Sequence, residues 1–486
     1  MLTLNDSALF RSQCYVGGRW IDADGNAVIP VDNPSSGETI GTVPNLGTAE
    51  TRRAIDAAFD AWAAWRALTP LQRGALLLKW NELIQANKED LARILSYEQG
   101  KPVAESLGEI GLGTSYIPWY AEECRRTYGD VIPPPRKGVR PVTHHQPVGV
   151  VVAITPWNFP FSMITRKSSP ALAAGCPVIV KPASATPYSA LALAELAERA
   201  GFPAGVFSVI TGTSSVIAEE VANNSKVRKI SFTGSTEVGK RLTAQAARTM
   251  KRVSMELGGN APFIVFDDAD LPTALNGAFG SKIRNAGQTC ISTNRMLVQK
   301  GIADAFSKGL VERFASLKVG DGFDPSSVVG PLINQAAVKH CEELIQDAVG
   351  KGAKVLLGGG RHALGGNYFE PTVLTGMTRE MRIFHEEIFG PVAPIMTFET
   401  EAEAVALAND THFGLASYVF TRDLGRAWRV PEALEYGLCG VNEAALALAE
   451  APFGGVKESG TGREGGREGL LDFMETRYVL MGGIGA

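Results

Sequence analysis

Gly149-Val150-Val151-Val152-Ala153-Ile154-Thr155-Pro156-Trp157-Asn158-Phe159-Pro160 runs apolar for six residues and then breaks into a turn stiffened by two prolines. A short run with no polar alternation is a strand buried on both faces. Similar runs recur at 177–180, 206–210 and 227–232, and helical stretches at 189–200 and 239–247 lie among them. Alternating helices and uniformly apolar strands predict a parallel sheet covered on both sides. A second set of strands is expected at 261–266, 295–299 and 354–357. The fold class is therefore α/β, with two α/β domains in series and a chain crossing near 256–259.

Upstream, Tyr15-Val16-Gly17-Gly18-Arg19, followed by Trp20 and Ile21, reads as a hairpin. Thr69-Pro70-Leu71-Gln72 has the pattern of a capping box with proline at the first helical position. Leu76, Trp80, Leu83, Ile84, Leu91, Ile94 and Leu95 follow at helical spacing, and Gly100-Lys101-Pro102 is a stop signal. This helical region carries no expected chemistry. Pro133, Pro134 and Pro135 precede a segment rich in β-formers. A net charge of −4 without a basic stripe argues against a nucleic-acid partner. The six cysteines are scattered and contain no CxxC pair, which favours a reducing, cytoplasmic setting. No apolar run approaches the ~18 residues that span a bilayer. The first residues lack a signal-peptide core, so no membrane association or targeting is expected.

Several segments have residue types suited to chemistry. Phe232-Thr233-Gly234-Ser235-Thr236-Glu237-Val238-Gly239 joins a predicted strand to a predicted helix. Such a turn can present free amides to a phosphate, or be only a tight connection, and its spacing departs from GxGxxG. Lys181 follows a strand at the edge where α/β sheets bind ligands. Cys290, in Gly287-Gln288-Thr289-Cys290, has polar neighbours that disfavour a core position. Glu256, in Met255-Glu256-Leu257-Gly258-Gly259, is either a general base or a cap. Asn158 is held in a stiff turn, where a side-chain amide can stabilise an oxyanion or simply form the turn. Metal readings fail: His385-Glu386-Glu387 is not HExxH, and no Cys/His cluster has zinc spacing.

Taken in order, TPWNFP, VIVKPAS, FTGSTEVG, MELGG, GQTC, EEIFGPV and PFGG resemble the aldehyde dehydrogenase superfamily over nearly the whole chain. The resemblance implies a dinucleotide-binding domain (1–127 and 147–256), a catalytic domain (257–458), and an oligomerisation ribbon with C-terminal tail (128–146 and 459–486), assembling as a homodimer or homotetramer. It implies that Cys290 attacks an aldehyde, that Asn158 and the Cys290 amide stabilise the oxyanion, that hydride passes to the nicotinamide, and that Glu256 activates water to hydrolyse the thioester. No metal is required. For the cofactor it implies Lys181 and Glu387 at the riboses, with Thr155, Pro156, Trp157, Ser184, Gly212, Phe232, Gly234, Ser235, Val238, Leu257 and Phe389 as further contacts. Ser184 stands where NAD-selective relatives often carry glutamate, so NADP is the expected cofactor, with NAD the alternative.

Within the family the chain resembles the succinate-semialdehyde dehydrogenases, through Ile164-Thr165-Arg166-Lys167 and Lys282-Ile283-Arg284-Asn285. The resemblance assigns Arg166 and Arg284 to the distal carboxylate of a small aldehyde, a task suited to a planar guanidinium. The alternative is that either arginine forms only internal salt bridges. Two departures stand out. Residues 444–449 lack the subfamily's carboxylate-binding serine, which favours glutarate or α-ketoglutarate semialdehyde as alternatives. Ser292 replaces a second cysteine found in some relatives, removing a disulfide switch. Competing readings are a broad-specificity aldehyde dehydrogenase, a CoA-acylating relative, disfavoured by Glu256, and a non-catalytic protein on this fold.

Overall fold

Val150–Ile154 lies inside an eight-stranded sheet in the computed structural model, which describes residues 2–484. From edge to edge the strands are Gly460–Thr461, Arg252–Glu256, Val227–Thr233, Val150–Ile154, Val178–Lys181, Phe207–Val209, Cys14–Val16 and Arg19–Ile21. The five central strands are parallel, and the antiparallel pairings lie toward the edges. The expected strands at 149–154, 177–180, 206–210 and 227–232 are all present. Lys181, expected just beyond its strand, is the strand's last residue.

The apolar run at 150–153 has a direct cause. Val151 and Ala153 pack into one buried cluster with Trp80, Ile94 and Tyr116 of the N-terminal helices. Val150 and Val152 pack into another with Ile55, Ile179 and Ile230. Each buried valine contributes ~1.5–3 kcal/mol, so neither face tolerates a polar residue. The capping box is formed: Thr69 accepts from the Gln72 amide at 3.3 Å, and the Gln72 side chain accepts from Thr69 N at 2.9 Å. The expected helical run divides at Asn87 into Pro70–Ala86 and Lys88–Gln99, and Gly100 closes the second helix in the left-handed conformation.

The chain leaves the first sheet at Glu256 and begins a second at Ala261. Its order is Lys354–Leu357, Thr372–Thr375, Val392–Phe398, Thr293–Gln299, Ala261–Val265, Ala416–Phe420 and Leu438–Val441. All neighbours run parallel except the first pair. The strand at 354–357 is thus an exposed antiparallel edge, not part of the parallel core.

The tail does two things. Gly460–Thr461 returns to the first sheet beside Arg252–Glu256, and the helix Gly466–Leu471 packs on Ser162–Ala174. Met474–Gly482 then pairs antiparallel with Val139–Pro147 to make a two-stranded ribbon. The expected tail extends to 486, and its last two positions lie outside the described residues. Among the described residues, no helix is long and apolar enough to cross a membrane.

Strand order places the site. From Val150–Ile154 the chain builds outward through Val178–Lys181 and Phe207–Val209, then crosses back to Val227–Thr233 on the other flank. The carboxyl ends of Val150–Ile154 and Val227–Thr233 therefore flank a topological switch point, where open α/β sheets bind ligands.

Candidate active site

A cleft of about 540 Å³ opens at that switch point. Thr155, Pro156 and Trp157 form one wall, and Phe232, Gly234, Ser235 and Val238 form another. Ser235 caps the helix Thr236–Ala246, accepting from Val238 N at 3.5 Å. That helix start brings free amides to the cleft, a suitable place for a phosphate. Lys181 reaches in from its strand end, 3 % exposed, and donates to Ser214 Oγ at 2.7 Å. Ser184, Ser215, Arg241 and Glu219 complete this part of the lining. The shape, the helix start and the buried ammonium fit a dinucleotide. Gly212 does not line the cleft. A Cβ there would meet Leu46 O at 2.4 Å, so this glycine serves a close backbone approach between 46 and 212.

The cleft continues into a cavity of about 230 Å³ lined by Trp157, Asn158, Gly234, Leu257, Cys290, Glu387 and Phe389. It contains residues from the carboxyl ends of the first sheet and from loops preceding strands of the second. The Gly258-Gly259 pair allows the two to meet: a Cβ on Gly259 would fall 2.3 Å from Cys290 O, and Glu387 Oε1 accepts from Gly259 N at 3.0 Å. Trp157 and Phe389 stand edge to face at 5.6 Å, and Phe389 is held at φ +50°. Asn158 Nδ2 donates to Gln288 O at 2.9 Å. An amide nitrogen has two hydrogens, so one remains for a ligand. Glu256 is buried and is not among the residues lining this cavity, and both of its carboxylate oxygens lack a hydrogen-bond partner.

Another cavity of about 350 Å³ is lined by Thr289 and Ile291, on either side of Cys290, and by Arg284, Tyr418, Asn442, Glu443, Ala444 and Ala445. The Arg284 guanidinium lies 5.1 Å over the Phe159 ring and makes no ion pair among the described residues. Arg166 is placed differently. Its Nε pairs with Glu464, its guanidinium stacks 4.1 Å over Phe453, and its buried Nη2 has no partner. For Arg166, then, the salt-bridge alternative describes the Nε edge of the guanidinium.

An aldehyde dehydrogenase family model matches residues 20–479. The chain is 54 % identical to glutarate-semialdehyde dehydrogenase of Pseudomonas aeruginosa over 99 % of this chain and 100 % of that one. It is 54 % identical to 3-sulfolactaldehyde dehydrogenase of Pseudomonas putida, covering 100 % of both. It is 53 % identical to the NADP(+) succinate-semialdehyde dehydrogenase of Escherichia coli over 99 % of this chain and 100 % of that one. The crystal structure of succinate-semialdehyde dehydrogenase from Burkholderia pseudomallei superposes with a TM-score of 0.98 at 54 % identity, covering 99 % of this chain and 100 % of that one. The chain belongs to the aldehyde dehydrogenase family.

As an NAD(P)-dependent aldehyde dehydrogenase, it needs a nucleophile, a base and an oxyanion donor close together, and the electrostatics of the pocket bear on each. Burial pushes the Cys290 thiol up to about 12, with Arg166 opposing. Burial, and then Glu464, hold Glu256 well above the usual carboxylate range. Burial alone lowers Lys181 to about 8. Burial raises Glu387 to about 7, opposed by the Gly259 amide. Low water access thus dominates the site, and the same condition strengthens every dipole in it. Ser214, Ser215 and Arg241 in the cleft, and Lys101, Glu109 and Glu464 behind the pocket, were not singled out from sequence. The first three follow no motif. The others matter only through contacts with segments distant in the chain.

Proposed function

We propose that this aldehyde dehydrogenase oxidises a small aldehyde carrying a distal acidic group, with succinate semialdehyde as its substrate. The single observation that supports this most is Arg284, a cation without an ion-pair partner in the wall of a cavity that flanks Cys290. A guanidinium fork suits a carboxylate, and a buried carboxylate without such a partner is costly. The free Nη2 of Arg166 is a second donor. Glutarate or α-ketoglutarate semialdehyde is the second reading. It is favoured by the loop 444–449, which has no hydroxyl, and by Glu443, whose carboxylate folds back onto the amides of Ala444 and Ala445 at 2.7 and 2.8 Å.

In the proposed mechanism Cys290 Sγ bonds to the aldehyde carbon as its thiol proton passes to solvent. The free Nδ2 hydrogen of Asn158 and the Cys290 amide hold the resulting oxyanion, where one donor contributes ~3–4 kcal/mol. Lys181, Ser235 and Glu387 hold the dinucleotide, which when bound supplies the hydride acceptor. Glu256 then removes a proton from the water that attacks the thioester carbon, the C–S bond breaks as that proton passes to Sγ, and the carboxylic acid leaves. We further propose NADP as the preferred cofactor. Ser184, Ser215 and Arg241 give this part of the cleft hydroxyls and a cation, with Glu219 the acid in its lining. We assign residues 1–127 and 147–256 to cofactor binding, 257–458 to catalysis, and the paired strands of 128–146 and 459–486 to assembly as a homodimer or homotetramer.

Arg284→Ala is the test. It is expected to raise KM for succinate semialdehyde at least tenfold, leaving propanal within twofold. An equal rise for both substrates would overturn carboxylate recognition.

A further inference from the structure

We propose that Lys101 is a positioning residue, whose buried ammonium sets where the Asn158 carboxamide stands relative to Cys290. The inference rests on the reading of Asn158 as the oxyanion donor.

Lys101 leaves the helical region just after Gly100 and turns into the interior. Its Nζ donates to Asn158 O at 2.7 Å and to Glu109 Oε2 at 2.7 Å, and both charged side chains are 1 % exposed. The ammonium also lies 4.1 Å over the Phe159 ring. Its donors are therefore used by groups within or beside one turn. The other oxygen of Glu109 accepts from Phe161 N at 2.9 Å and Ser162 N at 3.0 Å. A single ion pair thus holds the 158–162 turn at both ends.

The same short segment reaches the loop that carries the nucleophile. Gln99 Oε1 accepts from Lys101 N at 3.0 Å, and Gln99 Nε2 donates to Asn285 Oδ1 at 3.0 Å. Asn285 Nδ2 donates to Asn158 O at 2.8 Å, so Lys101 and Asn285 share that carbonyl. Glu105 Oε1 accepts from Asn285 N at 2.8 Å. Asn285 and Ala286 are both left-handed, at φ +53° and +54°. Strain of this kind persists only where neighbours over-determine it. The Asn158 turn and the Asn285–Cys290 loop belong to different sheets, and residues 99–109 tie them together.

Stability alone is a weak account of this arrangement. The desolvation of a buried ion pair largely cancels its attraction, so packed apolar side chains would serve as well. Directed donors, by contrast, fix a carbonyl in space, and a misplacement of ~1 Å in a reacting constellation costs ~100-fold in rate.

The test is a double-mutant cycle in the full-length enzyme with succinate semialdehyde and NADP. Lys101→Met is expected to lower kcat ~10–100-fold, to leave the NADP Kd within twofold, and to recover substantially in Lys101→Arg. Asn158→Ala lowers kcat by itself, and adding Lys101→Met to it costs less than a further twofold. Independent, multiplying losses would overturn the inference, as would wild-type kcat in Lys101→Met. Wild-type kcat in Asn158→Ala would instead overturn the oxyanion reading beneath it. If Lys101→Met does not fold, Glu109→Gln takes its place in the cycle. It removes the ion pair while keeping an acceptor for the 161 and 162 amides, and the same non-additivity decides.

Discussion

Cys290 sits in a pocket that resists ionisation, and so does the acid proposed to serve it. Burial pushes the thiol up to about 12, and burial with Glu464 lifts Glu256 above the usual carboxylate range. Only ionised Glu256 is a base for hydrolysis, so kcat is expected to rise with pH from the acid side until that carboxyl has titrated. Glu256→Gln should remove this rising limb and lower the rate at every pH, and a profile unchanged in the variant would exclude Glu256 as the base. In the dinucleotide cleft, Ser184→Glu should shift the NADP-to-NAD ratio of kcat/KM toward NAD by at least tenfold. At this scale the sequence was legible where a residue's local setting matched its task. Asn158 follows a buried strand in a proline-stiffened turn, and Cys290 follows polar residues and a glycine. It was not legible for Gly212, whose glycine serves packing against Leu46, or for Lys101, which looked like a helix stop and instead points inward. Nothing within a few residues of Lys101 reveals Asn158 or Glu109 as its partners.

The elements show the same division. Strands buried on both faces were readable because two clusters demand apolar side chains at successive positions. Arg252–Glu256 was not read as a strand, since Arg252, Ser254 and Glu256 break the pattern. It lies near the sheet edge, with the short Gly460–Thr461 outside it. Val392–Phe398 carries Pro394, a residue that argues against an interior strand, yet it pairs on both sides. The capping box at Thr69 was legible and is formed. Thr69→Ala should cost ~1 kcal/mol, measured by denaturant midpoint. The helix Ser162–Ala174 depends on a less visible contact. Glu464 accepts from both Arg166 and Lys167, and although burial raises its carboxyl, these two cations hold it down to about 2. The folded value lies below that of an unfolded glutamate, so the pair stabilises the protein above ~pH 4.3 and loses its contribution as pH falls toward 2. Glu464→Gln leaves two buried cations without their charge partner and is expected to destabilise by ~3–5 kcal/mol at neutral pH. A midpoint equal to wild type would contradict that account.

Across the whole molecule, function depends on strand ends of one sheet meeting loops of the other. The carboxyl ends of the first supply the dinucleotide cleft, and loops entering the second supply Cys290 and Glu387. The ribbon of Val139–Pro147 and Met474–Gly482 stands apart from both sheets, with Tyr478, Leu480 and Met481 exposed. An exposed apolar edge is a pairing surface. If it serves assembly, deletion of residues 474–486 should reduce the species seen by light scattering to a monomer, whereas an unchanged mass would remove the ribbon from that role. The alternation of strands and helices made the two-sheet plan legible, but which loops of one sheet meet which strand ends of the other is a tertiary fact. The proposed activity requires covalent chemistry at one sulfur. Glu256→Gln enzyme, incubated with succinate semialdehyde and NADP and then digested, should yield the peptide containing Cys290 with a succinyl group in thioester linkage when examined by mass spectrometry. Recovery of that peptide unmodified while NADPH accumulates, or of the acyl group on another residue, would contradict it.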